Sequence, residues 1–530
     1  MALAWWRRIP AIAAFVLLAW QVALPWTVPH FAAGDGPSHL YGATVARELV
    51  FHHHKSVYTP FYTIQRTALP NWTGTIVLAL TGAIAGADHG EALFVSLAML
   101  TGFLGLSYLI YALAPERSPW TPVSNFLIQT WFIRIGFYSF YLGMALLPFV
   151  IGYYIRHTGK LTWKRLALLS AGFVVLFFSH LIAVAIALAA AGFVFVWLRL
   201  FARPDGEAKQ TSLIREAGLL LIAAAPSLIL CALYLYGAPG GEIAASGPVW
   251  TLIRTFGQQI FLTANADQSF LRAGVLEYII AGVVLMSTTE WRSARGGIAG
   301  AALLCFIAFL FMPAQGFGGS AVLIRFGWAV FLLGAMIPLT AGRLEIVRVP
   351  VAIAVGALVA VNTVATQRTM RSLSHAADPY LAAARRITPG STLIRMSYPA
   401  PRAAAQYGFE GSVQFPFAHL DSLVAVEKHA INLTDYESLS LVFPIVNKGR
   451  YAGKEFQLWS LEGPGLETIT TLDWLERVMP RPADYVFLFG DEQSAEAQQV
   501  LMPQMAAYLS AHMHLAATSS DGLLRVYARN

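Results

Sequence analysis

A short polar segment, Gly34-Asp35-Gly36-Pro37-Ser38-His39-Leu40-Tyr41, follows the first apolar stretch of this chain. A carboxylate at the mouth of a membrane span is costly to keep unless it works. Asp35 can take a proton from a hydroxyl as a general base. Asp35 or Ser38 can equally cap a helix that starts near Pro37, and the two roles are compatible. His39 and Tyr41 beside it are candidates for holding a substrate or its phosphate, as are Arg325, His180 and Arg134. A guanidinium pairs bidentately with phosphate oxygens. For Arg325 the competing reading is a side chain snorkelling to the headgroups. For His180, inside an apolar run, it is a packed, hydrogen-bonded ring. A second cluster, Asp88-His89-Gly90-Glu91, offers the carboxylates of Asp88 and Glu91 to a divalent cation, Mg or Mn. The alternative there is a plain turn before the next span. The run His52-His53-His54 reads as polar surface, because consecutive side chains on a helix point in different directions.

Composition sets the elements that must position these groups. The 530 residues are 57% hydrophobic and 12% charged, half the charge of a soluble domain, which is about 25%. Mean hydropathy is +0.58. These values point to a polytopic membrane protein. The net charge of +7 comes from Lys and Arg scattered in short loops, a topology signal and not a nucleic-acid surface. Cys231 and Cys305 both lie in apolar spans, which leaves no disulfide framework. The N-terminus reads as an uncleaved first helix, with Arg7 and Arg8 on its cytoplasmic side.

Candidate spans are 9–28, 91–113, 123–138, 141–156, 164–179, 181–198, 216–236, 273–290, 298–312, 321–341 and 350–366. The expected fold is therefore mostly α, a polytopic bundle of about 11 transmembrane helices. The segment 73–86 is apolar but short. If it does not cross, the basic clusters at 156–165, 199–215, 292–295 and 343–348 share the side of Arg7 and Arg8, which the positive-inside bias favours. The loop 29–90 then faces outward, with the Ser179-His180 turn and everything after about 367. Tyr58, Tyr62, Trp72 and Tyr138 read as an aromatic belt.

Residues 1–366 form the expected membrane domain and 367–530 an extracytoplasmic α/β domain. In the latter, 378–387 and 495–512 read as helices, and 391–396, 485–489 and 523–527 as strands. A polar and aromatic stretch from Phe415 to Glu437, with His419, Asp421 and Tyr436, can reach back over the outer cavity or serve its own domain.

An apolar first span followed by an Asp-bearing outer loop resembles the glycosyltransferase-C superfamily, most closely its bacterial branch. The matching residues are Asp35 to Tyr41, Leu69-Pro70-Asn71-Trp72 and Asp88-His89-Gly90-Glu91. The resemblance implies a multi-span, inverting membrane glycosyltransferase of the inner membrane. Its partners would be membrane lipids, a polyprenyl-phosphate (lipid-linked) sugar donor, and a glycan, lipid or protein acceptor. Asp35 matches the first-loop acid, while Gly36 stands where the superfamily has a second one. A transporter or flippase of lipid-linked saccharides, or a non-catalytic envelope assembly protein, is the alternative. Spans free of charge at their centres and the lack of repeated halves count against transport.

Overall fold

The computed structural model describes residues 9–31, 33–52, 55–65, 67–116, 125, 127–201, 213–237, 247–253, 291–314, 321–340, 348–397, 417, 419–440, 442–448, 479–490 and 502–530. The expected span 273–290 lies outside them.

The helices are α1 (Ile9–Ala23), α2 (Gly36–Phe51), α3 (Trp72–Leu113), α4 (Trp131–Ile135), α5 (Tyr138–His157), α6 (Trp163–Ser179), α7 (Leu181–Leu200), α8 (Leu213–Gly237), α9 (Ala294–Phe311), α10 (Val322–Leu339), α11 (Arg348–Ala384), α12 (Leu420–Lys428), α13 (Tyr436–Leu439) and α14 (Met502–His512). Among the described residues, five are long and apolar enough to cross a membrane: α3, α5, α7, α8 and α9. The chain is a multi-pass membrane protein.

Two segments of the bundle depart from simple spans. Unbroken, α3 would be about 63 Å long at 1.5 Å per residue, twice the hydrocarbon thickness. It bends at Gly86, where φ is 75° and ψ −175°, a conformation open to glycine. The two arms then touch: a Cβ on Gly90 would lie 2.7 Å from Gly82 Cα. Gly74 packs against Ser139, and Glu91 against Tyr138. These are the first two residues of α5, so the arm 72–85 lies across one end of the bundle and does not run through it.

The expected span 123–138 is not a continuous helix. Its described part holds only the single turn α4, closed by Gly136 at φ 87°. Polar residues at 125, 129 and 130 break the apolar run. The irregular backbone, which membrane depth tolerates only inside protein, is met by neighbouring side chains: Gln21 donates to the Asn125 carbonyl at 3.3 Å. Asn125 Nδ2 donates to the Ala14 carbonyl at 2.7 Å. Gln129 Oε1 accepts from Gln21 and Thr363, each at 3.3 Å, and the Tyr141 hydroxyl donates to the Ile128 carbonyl at 2.6 Å.

α11 passes position 366 unbroken and absorbs most of the helix expected at 378–387. Its end leads into a mixed sheet built from β2 (Thr392–Ser397), β3 (Ile431–Asn432), β5 (Tyr485–Phe489), β6 (Met513–Thr518) and β7 (Leu524–Arg529), in the order β3-β2-β5-β7-β6. β2 runs parallel to both β3 and β5, while β7 is antiparallel to β5 and β6. A second, two-stranded sheet pairs β1 (Tyr62–Ile64), from the loop after α2, with β4 (Ile445–Asn447) of the C-terminal region.

Replacing Gly86 by Ala is expected to cost about 1–3 kcal/mol through backbone strain, since nothing crowds the site. Gly90→Ala should cost more, because the clash is with the Gly82 backbone. Thermal unfolding in detergent checks the order, and equal costs would refute the bend as described.

Candidate active site

The acidic segment is placed by backbone hydrogen bonds. Gly34 and Asp35 donate their N–H groups to the carbonyls of Arg134 and Ile135, at 2.9 and 2.8 Å. Gly136 lies so close that a Cβ there would reach within 2.8 Å of the Asp35 nitrogen. Asp35 then occupies the N-cap of α2, but its side chain makes no capping bond. The carboxylate is thus free of the structural task that a residue at this position usually has.

Its neighbours come from several elements. His39, one turn along α2, donates its N–H to the Asp35 carbonyl at 3.0 Å. His419 brings Nε2 to 3.7 Å from Asp35 Oδ1, with its ring against Tyr436. Arg325, on α10, is buried with its guanidinium 4.6 Å over the Phe137 ring and 5.4 Å from Phe140. Its charge acts on Asp35 and on Tyr436. Its Nε is buried and bonded to nothing in the protein. A cation over two aromatic faces with an idle donor suits an incoming anion better than snorkelling. Burial pushes the Asp35 carboxyl up to about 6; the charges of His39 and Arg325 oppose this, and that of Glu437 adds to it.

His180 sits at the turn between α6 and α7, where Nδ1 accepts the Ile182 N–H at 3.1 Å. That bond puts the proton of the neutral ring on Nε2. The ring lies edge-on to Phe140, centroids 5.1 Å apart. It therefore borders Arg325 through the shared Phe140 ring.

Several expected site residues serve elsewhere. Tyr41 is fully buried and ties α2 to β3: its hydroxyl donates to Tyr62 Oη at 3.1 Å and accepts the Asn432 N–H at 2.9 Å. Tyr58, Tyr62 and Tyr138 are likewise buried and form no belt. Arg134 lines a separate small cavity with Gln21, Gln129, Asn362 and Thr366. The guanidinium that acts on Asp35 is that of Arg325. Asp88 and Glu91 have different partners. Asp88 is half exposed and faces Arg385 at 3.4 Å, while Glu91 is buried and accepts from the Tyr138 hydroxyl. Among the described residues no group of three His, Cys, Asp or Glu side chains is placed to hold a metal.

Glu91 instead explains Gly36. A Cβ on Gly36 would lie 2.6 Å from both the Glu91 carboxyl carbon and the Tyr138 hydroxyl. The volume that a second acid at position 36 would need is filled by a carboxylate from α3. Sequence spacing gave no sign of this, because residues 36 and 91 meet only through the bend at Gly86.

The C-terminal stretch singled out in the sequence does reach the site. Glu437 accepts from His39 Nδ1, and Asp435 accepts from Ser38. Arg385 grips Glu427 through two bonds of 2.6 and 2.7 Å while meeting Asp88.

No family model matches the chain, and no curated protein matches it in sequence. Its structure is similar to that of the oligosaccharyltransferase AglB from Archaeoglobus fulgidus, solved with an inhibitory peptide and a dolichol-phosphate. The two share 12% identity at a TM-score of 0.46, over 99% of this chain and 75% of that one. It is also similar to the mycobacterial arabinofuranosyltransferase AftD, at 14% identity and a TM-score of 0.45, over 98% of this chain and 41% of that one.

Gly36→Ala should destabilise the fold by several kcal/mol, as overpacking onto a buried polar pair does. In the Gly36→Ala/Glu91→Ala double variant the two costs should fail to add by about 1 kcal/mol or more. Additive costs in thermal unfolding would mean that the two positions do not meet.

Proposed function

We propose that this protein is a membrane glycosyltransferase that moves a sugar from a polyprenyl-phosphate donor to an extracytoplasmic acceptor, with Asp35 as the general base. One observation carries the reading: a half-buried carboxylate with no capping bond lies within the field of a buried guanidinium whose Nε has no partner among the described residues. The acceptor hydroxyl gives its proton to Asp35 as its oxygen attacks the anomeric carbon. The bond from that carbon to the phosphate oxygen breaks, and its electron pair leaves on the phosphate, where Arg325 balances the growing charge. His180 and the Phe137–Phe140 wall hold Arg325 in place. Attack opposite the leaving group inverts the anomeric centre. The positive-inside bias of the loops assigns the Asp35 end of the bundle to the outer face of the plasma membrane.

Asp35 titrates near 6 in the fold, against an ordinary value near 3.9. Transfer should therefore rise with pH through about 6 and fall away below it. Stability runs the other way. A raised folded pKa means that protonation favours the fold, so stability is greatest below the unfolded value and declines as pH rises through about 6. Asp35→Asn is accordingly expected to lower transfer by roughly 10²–10⁴-fold. At neutral pH it should raise stability by on the order of 1–2 kcal/mol, the shift discounted for a carboxylate that remains a quarter exposed. Transfer to an acceptor in membranes and thermal unfolding of the same preparation check both. Unchanged turnover would remove Asp35 from the mechanism, and a loss of stability would make it a structural residue.

A further inference from the structure

We propose that Glu437, carried by the C-terminal region, holds His39 as an imidazolium and thereby supplies the second cation of the donor-phosphate site. The proposal rests on the glycosyltransferase reading above and makes Glu437 a positioning residue that acts through His39.

The geometry is specific. Glu437 is bonded to His39 Nδ1, and both side chains are nearly dry, at 3% and 10% exposure. Glu437 comes from the single turn α13, which is fixed at its start by Asp435: Oδ2 accepts the Ser438 N–H at 3.1 Å, and Oδ1 accepts from Ser38. On the other side Gly42 leaves room for the carboxylate, since a Cβ there would lie 3.3 Å from Glu437 Cδ. A carboxylate held in a dry space needs a charged partner, and His39 is the one it touches. With Nδ1 engaged by Glu437, Nε2–H remains as the donor.

The groups facing His39 are mostly acidic. Asp35 precedes it on the same turn, Glu91 approaches from α3, and Tyr138 and Tyr436 flank the ring from α5 and α13. His419 lies beyond Asp35 and feels the charge of His39. Burial alone would lower the His39 pKa. The charge and hydrogen bond of Glu437, with the charges of Asp35 and Glu91, reverse this and raise it.

Charge balance says why a second cation matters. A sugar phosphodiester carries one negative charge, and the phosphate leaving it carries close to two. Arg325 balances one of them. An imidazolium one turn from the base balances the other, and only while the transition state develops it.

The test uses the full chain with ¹⁵N-labelled histidine in detergent, the His39 signal being identified by its loss in His39→Gln. In the wild type His39 should be doubly protonated at neutral pH, and in Glu437→Gln its titration should move to lower pH. A neutral His39 in the wild type, or an unmoved titration in Glu437→Gln, overturns the proposal without reference to activity. In transfer assays Glu437→Gln should lose roughly a hundredfold at neutral pH, as when one preorganised donor is removed. The alkaline limb of its pH profile should shift toward acid. Asp435→Asn, which loosens the same turn, should leave that limb in place; if it shifts the limb equally, the effect is docking and the proposal fails. If His39 titrates as expected while no variant, Asp35→Asn included, changes any sugar transfer, the glycosyltransferase reading fails and the charge pairing stands.

Discussion

The first turns of α2 are buried yet polar, and their partners lie on the C-terminal region. Ser38 meets Asp435, His39 meets Glu437, and Tyr41 meets Asn432. Each of these groups would cost about 1–3 kcal/mol if buried without its partner, so three of them rival the whole stability of an ordinary domain. α2 therefore cannot settle into the bundle by itself. It is lodged only when residues 431–437 close over it, and the β1–β4 pairing and the Arg385–Glu427 grip act alongside that closure. The two glycines at 36 and 42 are part of the same constraint. One admits a carboxylate from α3 and the other a carboxylate from α13.

What could be read in the sequence follows from which forces are local. Long apolar runs between basic loops located α5 to α10 to within four residues at each end, because period and hydropathy are properties of a single segment. Asp35 could be singled out for the same reason: an acid directly after a span is anomalous by itself. The segment 123–138 misled because hydropathy counts Phe, Ile and Leu and discounts Asn125 and Gln129, which recruit partners from α1 and α11. β6 was missed because Met513 follows His512 with no turn residue to mark the change. Tyr41 and Tyr58 looked like belt or substrate residues, since aromatic side chains with a polar tip suit both an interface and a buried network. The pairing of Gly36 with Glu91, and of His39 with Glu437, needs contacts across 55 and almost 400 positions of chain, which no local pattern encodes.

Asp35 and its surroundings also show how stability and reactivity are traded. In a region of low dielectric each charge acts strongly on the next, whereas in water the same separations would be screened. Burial raises Asp35 towards neutrality, and that makes it a better proton acceptor near physiological pH than an exposed aspartate would be. Without counter-charges the same burial would drive it protonated altogether. The charges of His39 and Arg325 oppose this, and each side chain is itself held, His39 by Glu437 and Arg325 against an aromatic wall. Asp35 is thus kept ionisable by Arg325 of α10, by His39 of its own helix, and by the C-terminal region at one remove. Among the described residues the carboxylates of Glu91, Glu437 and Asp435 are engaged by Tyr138, His39 and Ser38, while the Asp35 side chain makes no capping bond and meets only His419, at 3.7 Å.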